Sequence, residues 1–247
     1  MNTRLVLFPL FVVATAAFAA DLPVVPAESI ARKKELLFAD DFNRTELGKD
    51  WVQVVPTFTV ESNALKGTQT RVDAPAADGK PAVKGHQAVI GTDVPTSDSV
   101  VEFKFRFAGA TAVSAEFDDR KYTGSHYGHI CFLRITPKSV ILTDQKDGGM
   151  NNEIMEMAKD PTKKEERARR MEGRSATFPV EVTLEKWHDV VLETVGDSMR
   201  ATLDGKPVAF LKSSGIAHPT KSKIELGCAG KDGFFDDVKI WNAEPVK

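Results

Sequence analysis

The sequence predicts an all-β fold: a sandwich of two antiparallel sheets carrying a short helical insertion. Three observations support it. First, apolar and polar residues alternate at period two along many short segments, most clearly in Val101-Glu102-Phe103-Lys104-Phe105-Arg106-Phe107, where four apolar side chains share one face and three charges the other. Second, Gly, Asp and Pro punctuate these segments at short spacing, with no βα alternation and no internal repeat. Third, related patterns stand at the two ends, Phe38-Ala39-Asp40-Asp41-Phe42 and Phe235-Asp236-Asp237-Val238-Lys239-Ile240-Trp241. Their matched alternation predicts that 36–42 and 234–241 pair as neighbouring strands, with Trp51 close to the closing strand.

The elements follow in order. Arg4, an apolar run over 5–18 and Ala17-Phe18-Ala19 read as a signal peptide over 1–19. Residues 20–35, with prolines at 23 and 26, read as a linker, and 36–243 as the β-sandwich domain. Strands are expected near 58–60, 64–66, 87–90, 101–107, 112–117, 129–135, 140–143, 180–184, 188–194, 199–203, 208–211, 224–228 and 234–241. Asp204-Gly205 marks a hairpin because a primed turn needs residues that tolerate positive φ. The stretch 151–174 breaks the pattern. Asp160-Pro161 makes an N-cap and first helical position, and a charged run from Lys163 to Arg170 continues as helix, either solvated on the sandwich edge or lying over a sheet face as a lid.

Lys+Arg of 33 against Asp+Glu of 35 gives a net charge of -2, which supplies no basis for nucleic-acid or anionic-membrane binding. Beyond the signal peptide no segment is apolar enough to span a membrane, so the expectation is an exported protein of the periplasm or the cell exterior. Export permits a disulfide between the two cysteines, Cys131 and Cys228, although two strand cysteines packing as small apolar residues fit equally well.

The stretches Phe38 to Trp51, Phe58 to Gly67, Lys186-Trp187-His188-Asp189-Val190, Val195 to Met199, Leu203-Asp204-Gly205-Lys206 and Phe235 to Trp241 resemble the concanavalin A-like lectin/glucanase sandwiches. Within that superfamily they are most similar to exported bacterial 3-keto-disaccharide hydrolase-like domains. The resemblance implies a jelly roll of two antiparallel sheets, one of them concave, and a carbohydrate as the partner. It leaves three classes of function open: glycan recognition with or without processing, a 3-keto-glycoside hydrolase or lyase, and a structural or protein-binding domain. Laminarinase-type members carry Glu-x-Asp-x-x-Glu on one strand. Here Glu116 and Asp118 match, but Lys121 stands in the place of the acid.

The candidate working surface is the loop after that strand, where acids, imidazoles and phenols fall within a few residues. Asp118, His126 and His129 are the candidate catalytic groups, suited to a divalent metal or to proton transfer beside a ketone. Tyr122, Tyr127, Glu116 and Asp119 are candidate ligand-binding residues, the phenols because they offer an apolar face with a polar tip. His129 also lies in strand phase with Cys131 and Leu133, which favours a half-buried position. Asp40 and Asp236, on inward phases, are candidates for a structural calcium, with bonds to backbone amides as the competing account.

Overall fold

The computed structural model describes residues 22–55, 57–77 and 82–246; the expected signal peptide lies outside them. Thirteen strands are described: β1 (Ala31–Asp40), β2 (Val52–Val55), β3 (Phe58–Glu61), β4 (Ala64–Thr68), β5 (Ala88–Thr92), β6 (Ser99–Asp118), β7 (His129–Ile135), β8 (Ser139–Asp144), β9 (Ser175–Pro179), β10 (His188–Val195), β11 (Ser198–Leu203), β12 (Lys206–Lys212) and β13 (Lys223–Pro245). Two short helices, α1 (Asn152–Met157) and α2 (Lys164–Met171), lie between β8 and β9.

Two strands belong to both layers. β6 and β13 pair antiparallel from Lys223↔Asp118 to Asn242↔Ser99. Their outer halves join β12-β11-β10-β6-β13-β4-β3, with β1 also on β13. Their inner halves join the second sheet, which runs β9-β8-β7-β6-β13-β5-β2. The sequence reading saw four strands here, 101–107, 112–117, 224–228 and 234–241. The chain passes through instead because Gly109 (φ +103) and Gly230 (φ +85) take up left-handed conformations beside the register shifts, so the ladder kinks without breaking. Phe103, Phe105 and Phe107 from one half and Val113, Ala115 and Phe117 from the other then enter the same core, together with Leu133, Ile135, Leu192, Leu226 and Phe235.

The termini meet. β1 runs antiparallel to β13, with Leu36↔Trp241, Phe38↔Ile240 and Asp40↔Val238. Strand pairing begins earlier than expected, at Ala31↔Pro245, so 31–35 belong to β1 and not to a linker. Arg32, Lys33 and Lys34 disguised this strand. They sit on a sheet edge, where charge is tolerated and blocks edge-to-edge association, and they pair with Glu244 and Glu102. Upstream, buried Arg200 donates to the carbonyls of Pro26 (2.9 Å) and Ala27 (3.0 Å), which clips that stretch onto the sandwich.

Two further differences concern the middle of the chain. The strand expected at 180–184 is β9, five residues earlier; it includes Pro179, which is tolerated because β9 is an edge strand where a missing N–H costs little. The insertion is helical over α1 and α2. Asn151 caps α1 by accepting from the amides of Glu153 and Ile154, and Ile154 is buried beneath it. α2 buries no residue, so its charged run is solvated. Cys131 and Cys228 are both buried free thiols, and burial pushes each pKa up to about 12. The Asp204-Gly205 turn joins β11 to β12 with φ of +50 and +75.

Candidate functional site

Directly opposed residues on antiparallel strands point to the same face, so the register defines what the outer face of the second sheet displays. Three rows cross it. The first is Arg134, Ser114 and Gly227; the second is Phe132, Glu116 and Glu225; the third is His129, Asp118 and Lys223. These side chains point away from the Val113-Ala115-Phe117 core face. Glu116, Asp118, Lys223 and Glu225 are nevertheless buried, so an ionic cluster is packed onto an outer sheet face.

His129 joins the cluster through a register fault. Strand phase places it with Cys131 and Leu133, facing the core. Between Phe117↔Cys131 and Asp118↔His129 the register slips by one residue, which turns His129 to the outer face opposite Asp118. Its Nδ1 lies 2.8 Å from Asp118 Oδ1 and 2.8 Å from Glu116 Oε1. The hydrogen bond runs to Asp118, so Glu116 Oε1 remains buried without one. Nε2 makes no hydrogen bond among the described residues. Burial works against the imidazolium, but the hydrogen bond to Asp118 and the adjacent Glu116 carboxylate outweigh it and hold the pKa at about 10.

Lys223 completes the third row. Its Nζ lies 3.0 Å from Asp118 Oδ2 and bonds Glu225 Oε1. Burial raises the pKa of Glu225, and the nearby Asp118 charge adds to the effect. Burial also raises that of Glu116, against the pull of His129. The sequence reading missed Lys223 and Glu225. In Lys223-Ile224-Glu225-Leu226 they look like the solvent side of an ordinary strand, and only the pairing of β13 with β6 shows where they point.

The loop after β6 separates the remaining candidates into two groups. His126 and Tyr127 are exposed on a 3-10 turn, their rings 4.4 Å apart, and the His126 ring is 6.0 Å from that of His129. Burial and the His129 charge lower the pKa of His126, which keeps it neutral near pH 7. Gly128 is required here, since a Cβ would fall 2.1 Å from the carbonyl of Asp119. The insertion buttresses the turn: His126 N donates to Met150 O at 2.8 Å, and Asn152 Nδ2 to Thr123 O at 2.8 Å. Asp119 and Tyr122 turn elsewhere. Asp119 accepts from His218 Nε2 at 3.0 Å, and Tyr122 packs on the His218 ring at 4.8 Å. Strand alternation sends Asp119 to the side opposite Asp118, so Asp119 and Tyr122 meet around His218 and anchor the loop there.

The expected calcium ligands are likewise engaged differently. Asp40 accepts from Phe42 N (2.9 Å), Arg44 Nη1 (2.5 Å), Arg44 Nη2 (2.7 Å) and Trp51 Nε1 (2.7 Å). An arginine therefore supplies the positive charge that calcium was expected to supply, and it holds the Asp40 pKa down despite burial. Asp236 accepts from the amide of Asp237, and burial raises its pKa. Among the described residues the group able to converge on a metal is Glu116, Asp118 and His129, whose donor atoms lie within 4.8 Å of one another. The Lys223 ammonium already lies 3.0 Å from Asp118 Oδ2 on one side of that place, so the residues fit a proton-transfer site better than a metal site. Two hollows on the surface, one at 73–75 and 82–84 and one between β1 and 92–95, include no member of the cluster.

No protein-family model matches the chain, and no curated protein matches it in sequence. Solved structures do match. The family GH16 non-specific endo-β-1,3(4)-glucanase SCLam superposes with a TM-score of 0.58 at 11% identity, covering 90% of this chain and 96% of that one. The endo-β-1,3-glucanase of Pyrococcus furiosus gives 0.57 at 9% identity, with 89% and 100% covered. The laminarinase of Flavobacterium sp. UMI-01 gives 0.54 at 11% identity, with 84% and 100% covered. At such identities the likeness concerns architecture, and the chain has the concanavalin A-like jelly-roll fold of these glucanases.

Proposed function

We propose that this chain binds a carbohydrate on the outer face of the second sheet, outside the cytoplasm, and processes it by proton transfer at His129. The observation that carries this reading is the setting of one imidazole: Nδ1 held between two buried carboxylates, Nε2 left for a ligand. A histidine oriented in this way by a carboxylate is the arrangement used in general acid–base catalysis. At neutral pH it presents a proton. Glu116 and Asp118 stabilise the charged ring before transfer, and Lys223 with Glu225 fixes the surrounding field. The fold likeness to glucanases and the exposed Tyr127 ring beside His126 support a sugar as the ligand.

Neutral His126 supports the finer reading, processing of a 3-keto-glycoside. A base is needed there to remove the proton next to the ketone, and His126 stands one ring from the His129 acid. The test is release of reducing sugar, or loss of ketone, from plain and 3-keto-disaccharides by the wild type, His129→Gln and His126→Gln. The reading expects His129→Gln to lose turnover on every substrate that the wild type cleaves, and His126→Gln on the ketones alone. Full activity in His129→Gln would refute it.

A further inference from the structure

The first row of the same face holds a cation with no partner. Arg134 is half buried on β7, and among the described residues it makes neither an ion pair nor a hydrogen bond. Of the other partly or wholly buried arginines among the described residues, Arg44, Arg106, Arg170, Arg174 and Arg200 each face a carboxylate, while Arg167 on the charged helix α2 does not. The direct neighbours of Arg134 across the sheet, Ser114 on β6 and Ile141 on β8, are uncharged. The diagonal neighbour Glu116 is within the ordinary reach of an arginine, yet its ion pair is with His129. A guanidinium taken half out of water without a counter-ion is costly, and a bound anion removes that cost.

The surroundings are built for approach. At Gly227, opposite Ser114, a Cβ would fall 2.3 Å from Ser114 Oγ and 2.7 Å from Gln87 Nε2, so the bare backbone lets the Gln87 amide lie against Ser114. In the neighbouring Phe132 row, toward the sheet edge, Thr143 and Ser175 share a hydroxyl–hydroxyl bond of 3.1 Å. The row around Arg134 thus carries the Gln87 amide and the Ser114 hydroxyl with one unpaired fork of N–H donors. The ionic cluster lies one row away, about 7 Å along the strand.

We propose that Arg134 receives an oxyanion substituent of the bound glycan, a carboxylate or a sulfate ester, so that the substrate class is an acidic glycan. The inference rests on the reading of this face as a carbohydrate surface. The planar guanidinium offers two parallel N–H donors to such a group, and the bidentate bonds are charge-assisted, which makes them stronger than those to neutral hydroxyls.

Calorimetric titration of the full chain with three probes tests it: neutral laminari-oligosaccharides, oligogalacturonates, and sulfated galactan oligosaccharides. The expected result is tighter binding of one acidic probe, weakening with added salt. In Arg134→Gln that affinity should fall about tenfold, as for loss of one charged hydrogen-bonded pair, with neutral binding unchanged, and Arg134→Lys should lie between. The two acidic arms distinguish carboxylate from sulfate. Binding of neutral glycans only, or an unchanged acidic affinity in Arg134→Gln, overturns the inference and leaves the carbohydrate reading standing. If the wild type binds no probe, both fall.

Discussion

Glu225 on β13 stands directly opposite Glu116 on β6, two buried carboxylates side by side on one sheet face. With Asp118 they make three acids against two cations, His129 and Lys223. Burial raises the pKa of both glutamates, and the Asp118 charge adds to it. A carboxyl with a raised folded-state pKa makes the native state less stable as pH climbs above the unfolded value, because ionisation then costs more in the native state. Glu225→Gln cannot ionise and still accepts a bond from Lys223. Its melting temperature should exceed that of the wild type by roughly 2–4 °C above pH 8, on the order of 1 kcal/mol for a domain of this size, and the gap should close towards pH 5. Thermal unfolding across that range checks it. A gap that is constant with pH would contradict the account.

His129 gives a second, separable dependence. Its pKa is about 10 in the folded protein against an ordinary value of 6.5. A base raised in this way contributes stability that is fully present below the unfolded value of 6.5 and is lost as pH rises through about 10. The shift and the partial exposure of the ring suggest roughly 3 kcal/mol. Urea unfolding of the wild type should therefore show a decline from pH 7 to 10 that His129→Gln lacks. His129→Gln should also be less stable at pH 6 by a similar amount. Parallel profiles for the two proteins would remove the imidazolium from the cluster.

The crossing of β13 between sheets depends on Gly230. Its φ of +85 is unfavourable for any side chain, and a Cβ there would lie 2.8 Å from Thr111 N. Gly230→Ala should cost roughly 1–3 kcal/mol, whereas Gly196→Ala, also at positive φ but with open space around it, should cost less. Equal losses in denaturant unfolding would mean that φ alone, and not the close approach of β6, sets the cost.

These residues also show what sequence can and cannot reveal. Period-two alternation located most strands and the pairing of the two ends, although the irregularity between Asp236 and Lys239 shifts the phase there, so that Phe235, Val238 and Ile240 all enter the core. Glu116, Asp118 and His129 were legible as a group of chemically capable residues close in sequence. The slip that turns His129 outward was not, since a bulge leaves no signature at an ordinary Ile130-Cys131 step. Lys223 and Glu225 are about a hundred residues from Asp118 and Glu116, so their place depended on sheet order alone. The bond between Asp119 and His218 was not legible either, because His218 sits on a distant loop and reads as a turn residue before Pro219.

Tyr127 tests the face without disturbing the frame. The residue is 82% exposed, adopts φ +50 on the turn, and its nearest aromatic contact is the edge of the exposed His126 ring. A large apolar ring left in water at a left-handed position gains nothing for folding. Removing it should leave the urea midpoint within about 0.5 kcal/mol of the wild type, or shift it slightly upward if glycine is introduced, since glycine accepts that φ freely. Sugar stacking, by contrast, needs the ring. Tyr127→Ala and Tyr127→Gly should both weaken glycan affinity by about 1 kcal/mol, roughly fivefold, while Tyr127→Phe retains it. Loss of affinity in Tyr127→Phe as well would assign the effect to the hydroxyl and not to stacking. Unchanged affinity in all three would place the sugar away from the His126–Tyr127 turn.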